Sequence, residues 1–230
     1  MDKRYTLVLL SGGLGSRMHN SVPKQYMLLA GKPVIMHVLE RVDLIPAIEE
    51  VIVVCADEYV DSIGLMLAQY GVRKKVRFAS AGPTRQASVR SGLEMVTTND
   101  VIIHESARPF VKVEDFERLI AEKERNAIFG VDIPFTVIKG HQKVEDLLTR
   151  SELINVQLPQ KFETRLLKEA HAKALAEGAE FTEDASMVFN YFPQTTINIC
   201  QGMEYNVKLT TRIDLLVGEQ IYDDVFRRRK

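Results

Sequence analysis

The chain is poor in cysteine. Cys55 and Cys200 are the only two among its 230 residues. The sequence therefore excludes a disulfide-stapled scaffold, and it offers no cysteine spacing typical of a metal site. Because each cysteine lies in an apolar, strand-like run, we predict that both thiols are buried and chemically inert.

The chain also lacks an excess of charge of one sign and a long apolar run. It has 30 Lys and Arg against 31 Asp and Glu, so no global field attracts nucleic acid and any phosphate site must come from locally placed cations. The first apolar run, residues 6–10, is too short for the core of a signal peptide or for a membrane span. We expect a cytoplasmic protein with neither a nucleic-acid nor a membrane partner.

No internal repeat, low-complexity segment or clear linker divides the chain, so we predict a single domain over residues 1–230. Strand-like runs that are apolar on both faces alternate with segments of helical period. This order predicts an α/β fold with a doubly wound, mostly parallel sheet covered by helices on both sides. The predicted strands are residues 6–10, 50–55, 75–80, 101–104, 195–200 and 206–209. The predicted helices are residues 34–47, 57–70, 84–96, 113–125, 164–177 and 182–189, with a last one from about residue 212.

The alternation stops over residues 134–162, which are rich in β-branched and polar side chains and have no convincing helical period. A stretch of this composition does not fit between the predicted core elements. We predict that it leaves the core as an extended β-arm.

A glycine-rich stretch follows the first predicted strand, where residues 10–18 read LSGGLGSRM. Glycine loops at this position expose backbone N–H groups to phosphates. A P-loop is excluded because no glycine is followed by the required Lys-Ser or Lys-Thr pair. A dinucleotide fingerprint is excluded because Met18 stands where its third glycine belongs.

Two cations accompany these glycines. Arg17 closes the stretch, and Lys24 follows in PKQY, residues 23–26. Arginine supplies a planar fork of donors for phosphate oxygens, and lysine supplies a point charge. The combination favours a nucleoside triphosphate site over the alternative, a tight turn with solvated surface cations.

Two further polar clusters follow predicted strands, where open α/β sheets bind ligands. Arg85 and Ser88 share one helical face in GPTRQASV, although an ordinary solvated first turn is the alternative. In HESARPF, Glu105 could hold Mg²⁺ and Arg108 could hold a substrate hydroxyl or phosphate. We interpret His104 as a structural histidine. Lys208, in NVKLTT, taken alone is typical of a surface lysine.

Together these motifs resemble the cytidylyltransferases that couple CTP to a polyol phosphate, a family that includes the methylerythritol phosphate and ribitol phosphate enzymes. The resemblance runs from residue 10 to about residue 219. Any one motif is weak, but six in the right order are a specific signal. The motifs are GGLGSRM with PKQY, GPTRQASV, HESARPF, LPQKF, TEDAS and NVKLTT.

The resemblance implies a Rossmann-like nucleotidyltransferase in which the arm, at about residues 134–162, is exchanged in a homodimer. It implies that a phosphate oxygen of the polyol attacks the α-phosphorus of CTP, that pyrophosphate leaves, and that Mg²⁺ or another divalent cation bridges the CTP oxygens. The implied catalytic residues are Arg17, Lys24 and Lys208. The implied CTP-binding residues are Gly12, Gly13, Gly15, Ala81, Gly82, Arg85 and Ser88. The implied acceptor-binding residues are Glu105, which is also the candidate metal ligand, Arg108, Thr182 and, reaching the partner's site, Arg150.

The acceptor side departs from the family pattern. Glu105 replaces an aspartate, and Val137 and Ile138 stand where the family's arm carries Asp-Thr. Leu158 replaces a threonine, and Tyr205 matches the ribitol enzymes. The favoured acceptor is 2-C-methyl-D-erythritol 4-phosphate, and ribitol 5-phosphate is the alternative. A sugar-1-phosphate nucleotidyltransferase and a nucleotide-binding protein without activity are the other classes left open.

Overall fold

The structure is a computed structural model that describes residues 3–13 and 23–227. Its strands are β1 (Tyr5–Leu10), β2 (Leu28–Leu29), β3 (Lys32–Pro33), β4 (Ile48–Cys55), β5 (Lys75–Ser80), β6 (Asp100–Glu105), β7 (Ala127–Asp132), β8 (Ile138–Lys139), β9 (Asp146–Leu147), β10 (Ile154–Glu163) and β11 (Asn198–Gln201). Its α-helices are α1 (Val34–Asp43), α2 (Val60–Gln69), α3 (Arg85–Glu94), α4 (Val113–Ala121), α5 (Thr164–Glu177), α6 (Asp184–Tyr191) and α7 (Arg212–Tyr222).

Seven of the described strands form one sheet in the order β11-β7-β10-β6-β1-β4-β5. β6, β1, β4 and β5 run parallel to one another, and β11 runs parallel to β7. Only β10 is antiparallel to its neighbours in this sheet. The predicted α/β class with a mostly parallel sheet is confirmed.

Side chains that alternate along the buried strands supply two apolar layers. Leu7 and Leu9 of β1 join the layer that contains Phe116 of α4 and the buried side of α1. Val8 of β1 joins the opposite layer, which contains Val89 of α3 and the buried sides of α5 and α6. Each face of the sheet is therefore covered by helices, as the apolar runs predicted.

Two helix starts agree with the sequence, and two helix ends do not. Thr84 caps α3 by accepting a hydrogen bond from the Ala87 N–H at 3.1 Å, and Thr211 begins α7 with a capping box. α1 ends at Asp43 rather than at 47, and α4 ends at Ala121 rather than at 125. In the part of the chain that is described, no helix combines the length and apolarity that a membrane crossing requires.

β10 corrects the predicted end of the arm. We placed residues 154–162 outside the core, but β10 lies between β6 and β7, and Gln160 and Lys161 of β10 pair with β6. The strand was missed because three of its buried side chains, those of Gln157, Gln160 and Lys161, are polar. Lys161 is fully buried, and its ammonium group donates to the carbonyl of Glu122 at 2.6 Å.

Two further strand assignments also change. β7 was missed because Gly130 interrupts its apolar run; a Cβ at this position would lie 2.1 Å from Ile154 Cγ2, so the strand needs a glycine there. Residues 206–209, predicted as a strand, belong instead to an irregular segment between β11 and α7.

The two cysteines were both predicted to be buried. Cys55 is buried, but Cys200 is only half-buried.

The arm comprises residues 133–153, between β7 and β10. It carries the small antiparallel hairpin of β8 and β9, and most of its side chains are exposed. Phe135 is 77% exposed and Leu147 is 78% exposed. An extended segment with this much exposed apolar surface is typical of a protein–protein contact.

His37 lies in the core beside β2. Its ring is 2% exposed, its Nε2–H donates to the carbonyl of Leu29 at 2.8 Å, and Tyr222 packs edge-on against it. Burial lowers the pKa of His37 from 6.5 to about 4, since the neighbouring carbonyl only partly offsets the desolvation.

We expect the free energy of unfolding to fall as the pH falls from about 6.5 to about 4. In this window the unfolded chain protonates His37 while the folded chain keeps it neutral, so unfolding takes up a proton. His37→Gln should flatten this dependence in denaturant titrations at several pH values. His141→Gln, on the exposed arm, is the control. An unchanged pH dependence in His37→Gln would contradict the assignment.

Candidate active site

A cavity of about 490 Å³ opens at the carboxyl edge of β1, β5 and β6. This is the edge at which open α/β sheets bind ligands. Loops that are distant in the sequence meet here because the parallel strands before them end side by side. The described lining residues are Leu10, Ser11, Gly12, Gly13, Lys24, Gln25, Gly82, Pro83, Thr84, Arg85, Ser88, Glu105, Ser106, Ala107, Lys208 and Thr210.

The cavity brings together most of the residues predicted from the sequence. Arg17 and Gly15 lie outside the described residues. Thr182 is exposed, Arg150 lies on the arm, and neither lines the cavity. Ala81 and Arg108 adjoin lining residues without lining it themselves. The predicted residues that do line it are Gly12, Gly13, Lys24, Gly82, Arg85, Ser88, Glu105 and Lys208.

The glycine loop is held close to the turn after β5. A Cβ at Gly12 would lie 2.3 Å from the Cβ of Ala81, so the two backbones can approach this closely only without a side chain. Gln25 secures the same loop from the other side, because its Nε2 donates to the carbonyls of Ser11 at 2.6 Å and Gly13 at 3.0 Å. Lys24, which precedes Gln25, is thereby placed beside the loop.

The turn before α3 is equally compact. A Cβ at Gly82 would lie 2.5 Å from the Cβ of Ala87, and the hydroxyl of Ser88 accepts a hydrogen bond from the Gly82 N–H at 3.0 Å. Ser88 therefore fixes the shape of the turn, which forms one wall of the cavity.

Glu105 is the electrostatic centre of the site. Its carboxylate lies 2.7 Å from Lys208 Nζ, 3.3 Å from Arg85 Nε and 3.9 Å from Arg108 Nε. Burial by itself would raise its pKa, but the charges of these three groups, Lys208 first, lower the pKa to about 2. Glu105 is therefore ionised at neutral pH, and one negative charge faces three positive ones.

The irregular segment that carries Lys208 is tied to the end of β6 and to β10. The Leu209 N–H donates to the carbonyl of Ala107 at 2.8 Å, and Arg108 Nη1 donates to the carbonyl of Asn206 at 3.0 Å. Asn206 Nδ2 donates to the carbonyl of Leu158 at 2.6 Å. Lys208 taken alone was typical of a surface lysine, but these bonds place it at the cavity.

His104 agrees with its interpretation as a structural residue. Its ring is fully buried against Phe116, and its Nε2–H donates to the carbonyl of Arg108 at 3.2 Å. Burial lowers its pKa to about 3, so it is neutral at physiological pH and does not add to the charge of the site.

Comparison with known proteins identifies the family. The family model for 2-C-methyl-D-erythritol 4-phosphate cytidylyltransferase (IspD) matches residues 5–224. The chain belongs to this family. The cytidylyltransferase resemblance inferred from the six motifs is thereby confirmed.

Curated relatives in this family match most of the chain. The 2-C-methyl-D-erythritol 4-phosphate cytidylyltransferase of Bacillus cytotoxicus is 36% identical over 94% of this chain and 96% of its own length. The chloroplastic enzyme of Oryza sativa is 32% identical over 97% of this chain and 76% of its own length.

Solved structures of the IspD family share the fold. The 4-diphosphocytidyl-2C-methyl-D-erythritol synthase of Anaerococcus prevotii is 26% identical, with a TM-score of 0.83 and coverage of 95% of this chain and 96% of its own. The enzyme of Thermus thermophilus is 27% identical, with a TM-score of 0.75 and coverage of 93% and 96%. These likenesses agree with the doubly wound sheet described above.

The residues of this IspD-family cavity fit a divalent cation only when a ligand brings donor oxygens with it. Residues 3–13 and 23–227 contain no group of three or more His, Cys, Asp or Glu side chains that could hold a metal ion. Within the same ranges, Glu105 is the only carboxylate that lines the cavity. This donor set suits Mg²⁺, which proteins often bind through one or two carboxylates together with substrate phosphates and water.

Three residues that organise the site were not predicted from the sequence. Gln25 lies in the PKQY motif, and Asp184 lies in TEDAS, but neither was assigned a role. His171, on α5, has no motif around it that would have marked it. Asp184 Oδ2 accepts a hydrogen bond from Arg85 at 2.8 Å, and Asp184 Oδ1 lies 3.1 Å from His171 Nε2.

Gly12→Ala should destabilise the protein by about 1–3 kcal/mol, the usual range for overpacking, because the new Cβ would collide with Ala81. Thermal or denaturant unfolding without ligand measures the effect. Gly13→Ala is the matched control, since a Cβ at Gly13 would meet no atom of residues 3–13 or 23–227 within 4 Å. Equal stabilities for the two variants would show that the close approach of the two loops is not required.

Proposed function

We propose that this protein transfers CMP from CTP to 2-C-methyl-D-erythritol 4-phosphate and releases pyrophosphate. The observation that carries the proposal is the meeting of the glycine loop, Lys24 and Lys208 around one cavity in a chain of the IspD family. The curated relatives described above carry the name of this activity.

The reaction needs little base catalysis. The second pKa of a phosphate monoester is about 6, so the acceptor phosphate is mostly dianionic at neutral pH and is itself the nucleophile. One of its oxygens bonds to the α-phosphorus of CTP, and the bond from that phosphorus to the bridging oxygen of the β-phosphate breaks. The leaving pyrophosphate keeps the electron pair. The main task of the protein is to hold two anions together and to stabilise the charge that develops between them.

Lys24 and Lys208 supply positive charge for this step from different walls of the cavity. We assign Lys24, with Arg17 and the backbone of Gly12, Gly13 and Gly15, to the triphosphate. We assign Lys208 to the α-phosphate and the incoming phosphate, because it is partly exposed and its ammonium group is held by Glu105. Arg17 and Gly15 enter this assignment on sequence grounds alone.

The compact turn of Ala81 and Gly82, with Ser88, would form the cytosine side of the site, because Gly82 and Ser88 line the cavity and their hydrogen bond fixes the turn. Mg²⁺ or another divalent cation, brought with CTP and contacted by Glu105, would neutralise part of the charge on the phosphate oxygens. Arg85 was predicted to bind CTP, but its guanidinium is directed at Glu105 and Asp184.

The acceptor would lie beside Glu105 and Arg108 and would be closed in by a second copy of the chain. Arg150 does not line the cavity of its own chain, and its Nη1 donates to the carbonyl of Pro134 within the arm at 3.2 Å. In a homodimer that exchanges arms, Arg150 would reach the partner's acceptor phosphate, and the exposed Phe135 and Leu147 would be covered. We place this enzyme in the cytoplasm, with CTP and the polyol phosphate as its partners.

The structure also bears on ribitol 5-phosphate as an alternative acceptor. Tyr205, which matches the ribitol enzymes, donates its hydroxyl hydrogen bond to Asp115 on α4 at 2.9 Å and does not line the cavity. Leu158 is buried in the apolar layer beside α5. The departures of Tyr205 and Leu158 from the family pattern are therefore explained by contacts within the protein, and neither favours ribitol 5-phosphate as the acceptor. Glu105, Val137 and Ile138 are the departures that could still shape the acceptor pocket.

Pyrophosphate release should be measured with CTP and Mg²⁺, with 2-C-methyl-D-erythritol 4-phosphate and ribitol 5-phosphate offered in parallel. We expect turnover with the first acceptor, little with the second, and loss of turnover on chelation of the metal. Faster turnover with ribitol 5-phosphate would overturn the proposed acceptor. A preference for UTP or dTTP over CTP would point to a sugar-1-phosphate nucleotidyltransferase, and CTP binding without any turnover would point to a protein without activity.

Arm exchange predicts that two inactive variants restore activity to each other in mixed dimers. Arg150→Ala and Lys208→Ala should each be inactive alone, whereas a mixed dimer would contain one site in which both residues are intact. With random pairing of C2 dimers the refolded mixture should regain about a quarter of normal turnover. Lys24→Ala mixed with Lys208→Ala is the control, because the described cavity takes both lysines from one chain. Equal recovery in the two mixtures, or none in either, would exclude the exchange.

A further inference from the structure

Five ionisable side chains form a continuous line of contacts that begins behind the cavity and ends in it. His171 Nε2 on α5 lies 3.1 Å from Asp184 Oδ1, and Asp184 Oδ2 accepts from Arg85 Nη2 at 2.8 Å. Arg85 Nε then lies 3.3 Å from Glu105 Oε1, and Lys208 lies 2.7 Å from Glu105 Oε2. The line joins α5, α6, α3, the end of β6 and the irregular segment that carries Lys208.

The outer part of this line does not touch the cavity. The side chains of His171 and Asp184 are each 1% exposed, and neither residue lines the cavity. Asp184 is nevertheless held ionised, because Arg85 and His171 outweigh the burial that would otherwise raise its pKa. A buried carboxylate of this kind is costly unless it is paired, so its partner Arg85 is strongly constrained.

We infer that Asp184 is a positioning residue for the acceptor side of the reaction: it fixes Arg85, Arg85 fixes Glu105, and Glu105 fixes Lys208. The inference rests on the proposed function for its kinetic consequence, but the geometry it describes does not. His171 contributes by occupying Oδ1 of Asp184, which leaves Oδ2 for Arg85.

The planar guanidinium of Arg85 explains why its contact with Asp184 affects how it binds Glu105. The guanidinium bridges two carboxylates, with Nη2 on Asp184 and Nε on Glu105. Without the charge of Asp184, the fork would be free to turn and bind both oxygens of Glu105 at once, the geometry that arginine and carboxylate prefer. Glu105 Oε2 would then be shared with Arg85, and the ammonium group of Lys208 would lose its fixed position.

The kinetic test is Asp184→Asn, which keeps the shape of the side chain and removes its charge. We expect kcat/KM for the acceptor to fall by about tenfold to a hundredfold, the scale for a misplaced reacting group. The Kd of CTP, measured by calorimetry without acceptor, should change by less than about threefold, because most of the triphosphate is assigned to Lys24 and the glycine loop, which lie outside this line of contacts.

Asp100→Asn is the matched control. Asp100 is also a buried carboxylate paired with an arginine, since Arg125 Nε lies 2.9 Å from it, and it begins the strand that Glu105 ends. The Asp100→Asn substitution should leave kcat/KM for the acceptor within about twofold of the wild type, as expected for a change that affects only stability. An equal loss in both variants would show that Asp184 has only a structural role.

A double variant tests the proposed order of action. If Asp184 acts through Arg85, then Asp184→Asn added to Arg85→Met should cause no further loss in kcat/KM for the acceptor. Independent, multiplying losses would overturn the inference. If Asp184→Asn does not fold, His171→Gln tests the same line, with an expected several-fold loss on the acceptor side and an unchanged Kd for CTP.

Crystal structures separate this inference from the proposed function. In Asp184→Asn, or in His171→Gln if the former does not fold, we expect Arg85 to move from its present contact with Glu105 and Lys208 to shift with it. Unchanged contacts would overturn the inference whatever the activity. A wild type that turns over no acceptor would overturn the proposed function alone, because the crystal structures would still decide the geometry.

Discussion

The site depends on one buried negative charge, that of Glu105 at the end of β6. A carboxylate removed from water is stable only when cations and hydrogen-bond donors surround it, and here Lys208, Arg85 and Arg108 do so. The same carboxylate therefore draws together three cations from three different parts of the chain. This excess of positive charge suits a cavity proposed to hold a triphosphate beside a second phosphate.

A second constraint is steric rather than electrostatic. The glycine loop approaches the turn after β5 where Gly12 faces Ala81, and that turn packs on α3 where Gly82 faces Ala87, with no room for a Cβ at either glycine. Gln25 and Ser88 then hold these backbones by hydrogen bonds. The glycines and the bonded side chains together make a rigid frame, so the cations around Glu105 act from defined positions.

The expectations from the sequence were right where the order of apolar and polar residues was regular. The parallel strands and the starts of the helices at Thr84 and near residue 212 were predictable, because apolar runs and helix-start signals depend on neighbouring residues. β10 was not, because Gln160 and Lys161 are polar but fully buried, and the Glu122 carbonyl that accepts from Lys161 lies elsewhere in the chain. β7 was missed for a related reason, since Gly130 is required only by contact with Ile154 on the neighbouring strand.

The sequence by itself determined the class of fold, the family and half of the described lining residues, because the motifs at the ends of the strands carry that information in local order. Only the tertiary structure decided how these residues act on one another. It directed Arg85 toward two carboxylates, placed Thr182 outside the cavity, and connected His171 and Asp184 to Glu105. Charges on separate elements interact through space, at distances that the order of residues along the chain does not specify.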